Sequence, residues 1–154
     1  SKPTLTQENI LSLIQNSVNY LKTRSSSKVL FVLPFSADEE INIPVNPALF
    51  EWVIENVCKN AIDAMEGDGS ITIRVEKSEK HAVIDFYDTG KGLPKSSWKK
   101  IFLPGYTTKK RGWGLGLSLA KRIIEEYHSG KIFVKSSEIG KGTCIRILMK
   151  NSIV

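Results

Sequence analysis

Several things are scarce in this sequence, and each scarcity excludes something. Two cysteines in 154 residues cannot make a disulfide scaffold, and Cys58, Cys144, His81 and His128 show none of the spacing of a structural metal site. Both thiols read as buried side chains in a reducing compartment. No long apolar run exists: the longest stretch without a charge, Asn9 to Leu21, is broken by Gln, Asn and Ser and is too short to cross a bilayer. Residue 1 is Ser and no basic-then-apolar leader follows it, so the chain reads as an excised or processed piece of something longer, without a secretory signal. No internal repeat or low-complexity tract is visible. The 22 Lys and Arg against 16 Asp and Glu leave a net charge of +6, yet the basic residues are spread out and no aromatic-basic module stands out, which argues against nucleic acid. What remains is ordinary: 41% apolar and 25% charged residues, close to the soluble globular average, at a length that suits one domain with a real core.

Periodicity then divides the chain. Ile10, Leu13, Ile14, Val18 and Leu21 recur at helical spacing, with Thr4 or Thr6 available as N-cap. Val29 to Leu33 is a β-branched and aromatic run closed by Pro34 and reads as a strand. Asn46-Pro47 opens a second helix that runs to about Met65 and stops at Gly67 and Gly69. Ile71, Ile73 and Val75, then Ala82, Ile84 and Phe86, alternate with mostly polar neighbours across a short turn, which predicts an antiparallel hairpin with one buried face. Asp88 to Gly116 is a long loop rich in glycine and proline, with a short helix near Ser96–Phe102; loops of that length in compact domains are usually functional. Leu115 to Tyr127 reads as a helix with Leu119, Ala120, Ile123 and Tyr127 on one side and Gly130 as its stop. Lys131–Ser136 and Thr143–Met149 are two more strands. The order predicts an α+β fold, a mixed sheet with helices on one face.

Three constellations carry chemistry. On a wheel of about 100° per residue, the helix after Asn46 gathers Phe50, Val53, Ile54, Val57, Cys58, Ala61, Ala64 and Met65 on one arc, with Asn56, Asn60 and Asp63 along its margin. Asn is a poor helix former. Two of them here suit either a solvated edge or a site, because amide oxygens are hard, neutral ligands fit for Mg²⁺ beside phosphates. Asp88-Thr89-Gly90-Lys91-Gly92 follows a strand: its glycines allow close backbone approach, and its carboxylate suits either an Asx-type turn or an exocyclic amino group such as adenine's. Gly112-Trp113-Gly114-Leu115-Gly116-Leu117 opens a helix, where free backbone N–H groups form an anion cradle; it matches neither the dinucleotide fingerprint nor the P-loop. Six of the Lys and Arg residues lie between Lys95 and Arg111, which suits either a triphosphate or a solvated basic face.

Taken in order, these segments resemble the catalytic ATP-binding domain of sensor histidine kinases, of the GHKL type. Glu55 to Ala61 looks like the N box, Asp88–Gly92 the G1 box, Phe102 with Thr107-Thr108-Lys109 the F box, and Gly112–Leu117 the G2 box, followed by Gly140-Lys141-Gly142-Thr143. The resemblance covers residues 45 to 149 and implies a Bergerat ATP-binding fold, with ATP between the N-box helix and a lid at 94–111. It implies that residues 1–154 form a single catalytic domain. Asn60 would hold Mg²⁺ with Asn56 in support. Asp88 would accept from the adenine N6 amino group, with Thr143 reaching the ring through water. Gly90 and Gly92 would let the lid hinge. Gly112, Gly114 and Gly116, with Leu115 and Leu117 in the same box, would line the phosphates, and Lys109, beside Thr107 and Thr108, would contact the γ-phosphate. One departure stands out: many members carry Lys or Arg three residues after the N-box Asn, where this chain has Asp63. Related ATPases (the gyrase, mismatch-repair and heat-shock types) have a water-activating Glu at the position of Asn56, and an amide cannot take that proton. Glu55 is adjacent in sequence but about 100° away around the helix. Poor hydrolysis and phosphate transfer to a side chain are therefore expected. A GHKL-type ATPase, an anti-sigma-factor kinase and a non-catalytic ATP-sensing module are the alternatives. Neither His81 nor His128 resembles the family's phosphoacceptor motif, so each reads as a surface histidine. The partners implied are a separate dimerisation and phosphoacceptor domain of the same protein and a response regulator receiver domain, with no nucleic acid and no membrane contact from this domain. Its place would be the cytoplasm, as part of a two-component sensor.

Overall fold

Period-two alternation builds the sheet and period-3.6 alternation the helices that cover it. The computed structural model describes residues 2–106 and 116–152. The elements are β1 (Thr6–Asn9), α1 (Ile10–Lys22), β2 (Val29–Val32), β3 (Asn42–Val45), α2 (Pro47–Ala64), β4 (Gly69–Lys77) and β5 (His81–Asp88). Two 3-10 turns follow at Lys95–Ser97 and Lys100–Phe102, then α3 (Gly116–Arg122), which continues into a π-helical turn at Ile123–Tyr127, and finally β6 (Lys131–Glu138) and β7 (Gly142–Lys150). Five strands pair in the order β2-β4-β5-β7-β6. Only β2 and β4 run parallel; the other pairings are antiparallel, so the sheet is mixed and mostly antiparallel. Its inward side chains, among them Ile71, Ile73, Ile84, Phe86, Ile145 and Ile147, form one core with Ile10, Ile14 and Val18 of α1 and Phe50, Ile54 and Val57 of α2. The two-layer α+β arrangement expected from the pattern is thus present.

The differences in detail have physical causes. The residue that caps α1 is Asn9, whose side chain accepts from Leu11 N, and neither Thr4 nor Thr6 does so. Thr6–Asn9 is instead paired antiparallel with Asn42–Val45, which delays the helix until the strand is finished. At α2, Asn46 caps by accepting from Leu49 N, and Pro47 occupies the first turn as expected. The helix ends where Glu66 and Gly67 take positive φ values of 55° and 77°. On α3 the buried residues are Leu117 and Ala120, followed by Ile123 and Ile124, while Leu119 is exposed. Leu117, Ala120 and Ile124 keep the helical spacing, Ile123 is buried with them as expected and Tyr127 packs against the core, so only Leu119 falls off the expected side. Gly130 is not the left-handed stop; Ser129 is, at φ 55°. Gly130 has no room for a side chain, since a β-carbon would lie 2.4 Å from Leu148 O.

His128 also departs from expectation: it is buried, not on the surface. Its Nε2 accepts from Asn46 N at 3.1 Å and its Nδ1 faces Ile123 O at 2.9 Å, which makes Nδ1 the protonated nitrogen. The ring thereby ties the end of the π turn to the start of α2. Desolvation lowers its pKa below the ordinary histidine value, against the opposing effect of the Ile123 carbonyl.

Candidate functional site

The C-terminal half of α2 meets the end of β5 at a point where two glycines are required. A β-carbon on Gly90 would lie 2.8 Å from the carbonyl carbon and oxygen of Ala64, and Lys91 N donates to Ala64 O at 3.0 Å. Gly92, at φ 76°, faces Glu138 O, where a β-carbon would be only 2.2 Å away. Gly140 N donates to Lys91 O, and Leu93 N donates to Ser137 Oγ. Trp98 Nε1 donates back to Leu93 O. These glycines serve close packing, and Lys91 and Leu93 are tied to the end of α2, to β6 and to the turn after it.

Asp88 stands at that junction. Its Oδ1 accepts from Gly90 N at 2.8 Å, which is an Asx turn, and from Thr143 N of the neighbouring β7 at 3.2 Å. The turn and the site are not rival explanations, because the turn uses one oxygen and fixes where the other points. Among the described residues Oδ2 receives no hydrogen bond. Burial pushes the carboxyl pKa up, opposed by the Gly90 and Thr143 N–H groups. The close pairing of the β5 and β7 ends needs Gly142, where a β-carbon would overlap Asp88 O.

Along α2, Asn56 and Asn60 are half-buried and Asp63 is exposed. Asn56 Nδ2 donates to Trp52 O at 2.8 Å, and its Oδ1 faces the start of α3, 3.0 Å from where a Gly116 β-carbon would be. Gly116 is therefore a close-approach position as well. Asn60 has no side-chain hydrogen bond among the described residues, so its amide oxygen is available to a ligand. The described residues hold no cluster of three His, Cys, Asp or Glu side chains suited to a metal. A neutral amide next to phosphate is the donor set expected of an ion carried in by a polyphosphate, and Asn60 fits it.

The structure thus joins Asp88, Gly90 and Thr143 at the ends of β5 and β7, sets Gly90 against the end of α2 and Gly92 against the end of β6, and faces Asn56 of α2 toward Gly116 of α3, with Asn60 one turn further along α2. Leu117 turns inward and is core, leaving only its backbone for a ligand. Thr107, Thr108, Lys109, Gly112, Gly114 and Leu115 lie outside the described residues. The contributors that pattern reading missed are Ser137 and the packing of Ala64; the repeated glycines opposite them were the one available signal. No helix among the described residues is long and apolar enough to cross a membrane.

Comparison with known proteins points to one family. Residues 45–153 match the family described as histidine kinase-, DNA gyrase B-, and HSP90-like ATPase. Sporulation kinase C of Bacillus subtilis (strain 168) is 41% identical over 97 residues, 63% of this chain and 22% of that protein. Sensor histidine kinase ZraS of Salmonella typhi is 36% identical over 146 residues, 94% of this chain and 31% of that protein. The chain therefore spans less than a third of the length of either curated relative. The catalytic domain of histidine kinase ThkA superposes with a TM-score of 0.86 at 26% identity, over 97% of each chain. ThkA in complex with response regulator protein TrrA matches with a TM-score of 0.81 at 25% identity, over 96% of this chain and 42% of that one.

Proposed function

The chain belongs to the histidine kinase-, DNA gyrase B- and HSP90-like ATPase family, and from that premise we propose that it binds Mg²⁺·ATP at the α2, β5 and β7 junction and presents the γ-phosphate to a histidine on a separate phosphoacceptor domain. What carries this is the Asp88 carboxylate, fixed by Gly90 N and Thr143 N, in a chain whose α2 also carries the Asn60 amide. A carboxylate held at that spot accepts from an amino group and repels a carbonyl, so it selects adenine over guanine. Asn60, with Asn56 behind it, would hold the Mg²⁺, which when bound offsets phosphate charge and orients the triphosphate. The basic residues Lys109, Lys110 and Arg111 lie in the same segment of sequence as the glycine-rich phosphate loop.

Transfer is favoured over hydrolysis on this chain's own residues. Asn56 stands where a water-activating carboxylate would be needed, and its amide is committed to Trp52 O. Glu55 is about 100° around the helix from Asn56. It lies near Glu51, whose carboxyl pKa is raised by burial and then by the Glu55 charge, against a hydrogen bond from Asn16. Resemblance to two-component kinases further suggests a response regulator as the downstream acceptor and a cytoplasmic setting. Calorimetric titration tests the nucleotide assignment: ATP and ADP should bind, and GTP should bind at least about tenfold more weakly, as a missing donor against a buried carboxylate requires. Equal affinity for ATP and GTP would overturn it.

A further inference from the structure

We propose that Ser137 of β6 is a positioning residue for base recognition, linking the root of the loop after Asp88 to Thr143. The inference rests on the nucleotide site proposed above. Its starting point is an irregularity in the β6·β7 ladder. Lys131 to Val134 pair with Leu148 to Ile145 in one register, but Ser136, Ser137 and Glu138 pair with Cys144, Thr143 and Gly142 in a register one residue later. Lys135 is the extra residue of a β-bulge. Without it Ser136 would oppose Thr143; with it Ser137 does. Bulges re-aim side chains in this way next to binding sites.

The re-aimed hydroxyl makes three contacts. Leu93 N donates to Ser137 Oγ at 2.7 Å. Gly142 O lies 3.1 Å from the same oxygen and Thr143 Oγ1 lies 2.7 Å from it. A hydroxyl has one proton and two lone pairs. One lone pair is taken by Leu93 N–H, and the proton has two acceptors in reach. When it points to Gly142 O, Thr143 gives its own proton to Ser137 and offers only lone pairs outward. When it points to Thr143, the Thr143 proton is released to donate to a bound base or its water. Thr143 N meanwhile holds Asp88 Oδ1 at 3.2 Å. A continuous chain therefore runs from Leu93 through Ser137 and Thr143 to Asp88. Thr143 is only 8% exposed, so a bond lost there is poorly replaced by solvent.

The test compares ADP with inosine diphosphate, which has a carbonyl where adenine has the amino group. A purely structural defect weakens both nucleotides by the same factor; a defect in base reading weakens ADP more. In calorimetric titrations Ser137→Ala should reduce the ADP to inosine diphosphate affinity ratio by more than about threefold, the size of a partial hydrogen-bond loss. Ser137→Thr, which keeps the hydroxyl, should restore that ratio to within about twofold of the parent. If the alanine variant fails to fold, Ser137→Cys keeps the volume with a much weaker donor and is read against the same threshold. A smaller fall in the ratio overturns the role of Ser137. Failure of the nucleotide site itself would show separately, as a parent chain that binds no ADP or does not prefer it.

Discussion

Asp88 pays for its position in stability, and the sign of that cost can be stated. Its pKa is raised above the ordinary 3.8 chiefly by desolvation, with the Gly90 and Thr143 N–H groups acting in the opposite direction. A carboxyl whose folded pKa is raised contributes stability that is present below 3.8 and lost as pH rises through the folded value. At neutral pH the ionised group is thus held against its preference. Asp88→Asn keeps an oxygen for both N–H donors and removes the charge. Its expected effect is a Tm higher by about 2–4 °C at neutral pH, together with a loss of about 1–3 kcal/mol in ADP binding. The Tm gap should close as pH is lowered toward 3.8. Thermal melts across pH, with calorimetry alongside, check both halves; a variant that is less stable at neutral pH contradicts the assignment. Asp88 was legible in the sequence because a strand end followed by spaced glycines is a local signal. Ser137 was not, because only the long-range pairing of β6 with β7 shows that a bulge turns it toward Thr143.

At the scale of elements, the joint between the π turn and α2 depends on one imidazole. His128 uses both nitrogens, accepting from Asn46 N and donating to Ile123 O. Protonation of Nε2 would set an N–H against the Asn46 N–H at the mouth of the helix that carries Asn56 and Asn60. Because burial lowers the His128 pKa, its stabilising contribution is present above 6.5 and is lost as pH falls from 6.5 through the folded value. The parent Tm is expected to fall over that window. His128→Gln, which does not titrate, should start about 1–2 kcal/mol less stable from the imperfect replacement of two buried bonds and should show little of the slope. Equal slopes in both proteins would exclude His128 as the titrating group. The burial of this ring is not legible in the sequence, because His-Ser-Gly after a helix looks like an exposed terminus. On α3 the expected side holds for Ala120, Ile123 and Tyr127 and fails only for Leu119, which yields its place to Leu117. The strands β1 and β3 escaped notice for another reason: each has four residues without clean alternation, and what makes them strands is their mutual pairing. The long amphipathic α2 and the β4–β5 hairpin, whose periods are local, were legible in full.

For the whole molecule, the order of the glycine loops and the Asn helix pointed to the family before any coordinates, because the motifs are spread over the length that the family match covers. Phosphoryl transfer nevertheless needs an acceptor held in line with the γ-phosphate, and positioning supplies most of the rate. Neither histidine here meets that need. His81 begins β5 on the surface with its backbone bonded to Ser78, and His128 has both ring nitrogens occupied in the core. On the reading proposed above, the amide at position 56 does not activate water either. The chain alone should therefore bind Mg²⁺·ATP without labelling itself and with little phosphate release, and should transfer label only when a separate phosphoacceptor domain is added. Asn60→Ala should abolish that transfer while leaving Tm unchanged or higher, since alanine is the better helix former by up to about 0.7 kcal/mol. Incubation with γ-labelled ATP, with and without the acceptor domain, reads the outcome. Acid-labile label on His81 or His128, or rapid phosphate release by the chain alone, would be incompatible with this division of labour. Label confined to the added domain's histidine and absent in Asn60→Ala would place the donor half of the reaction in this chain.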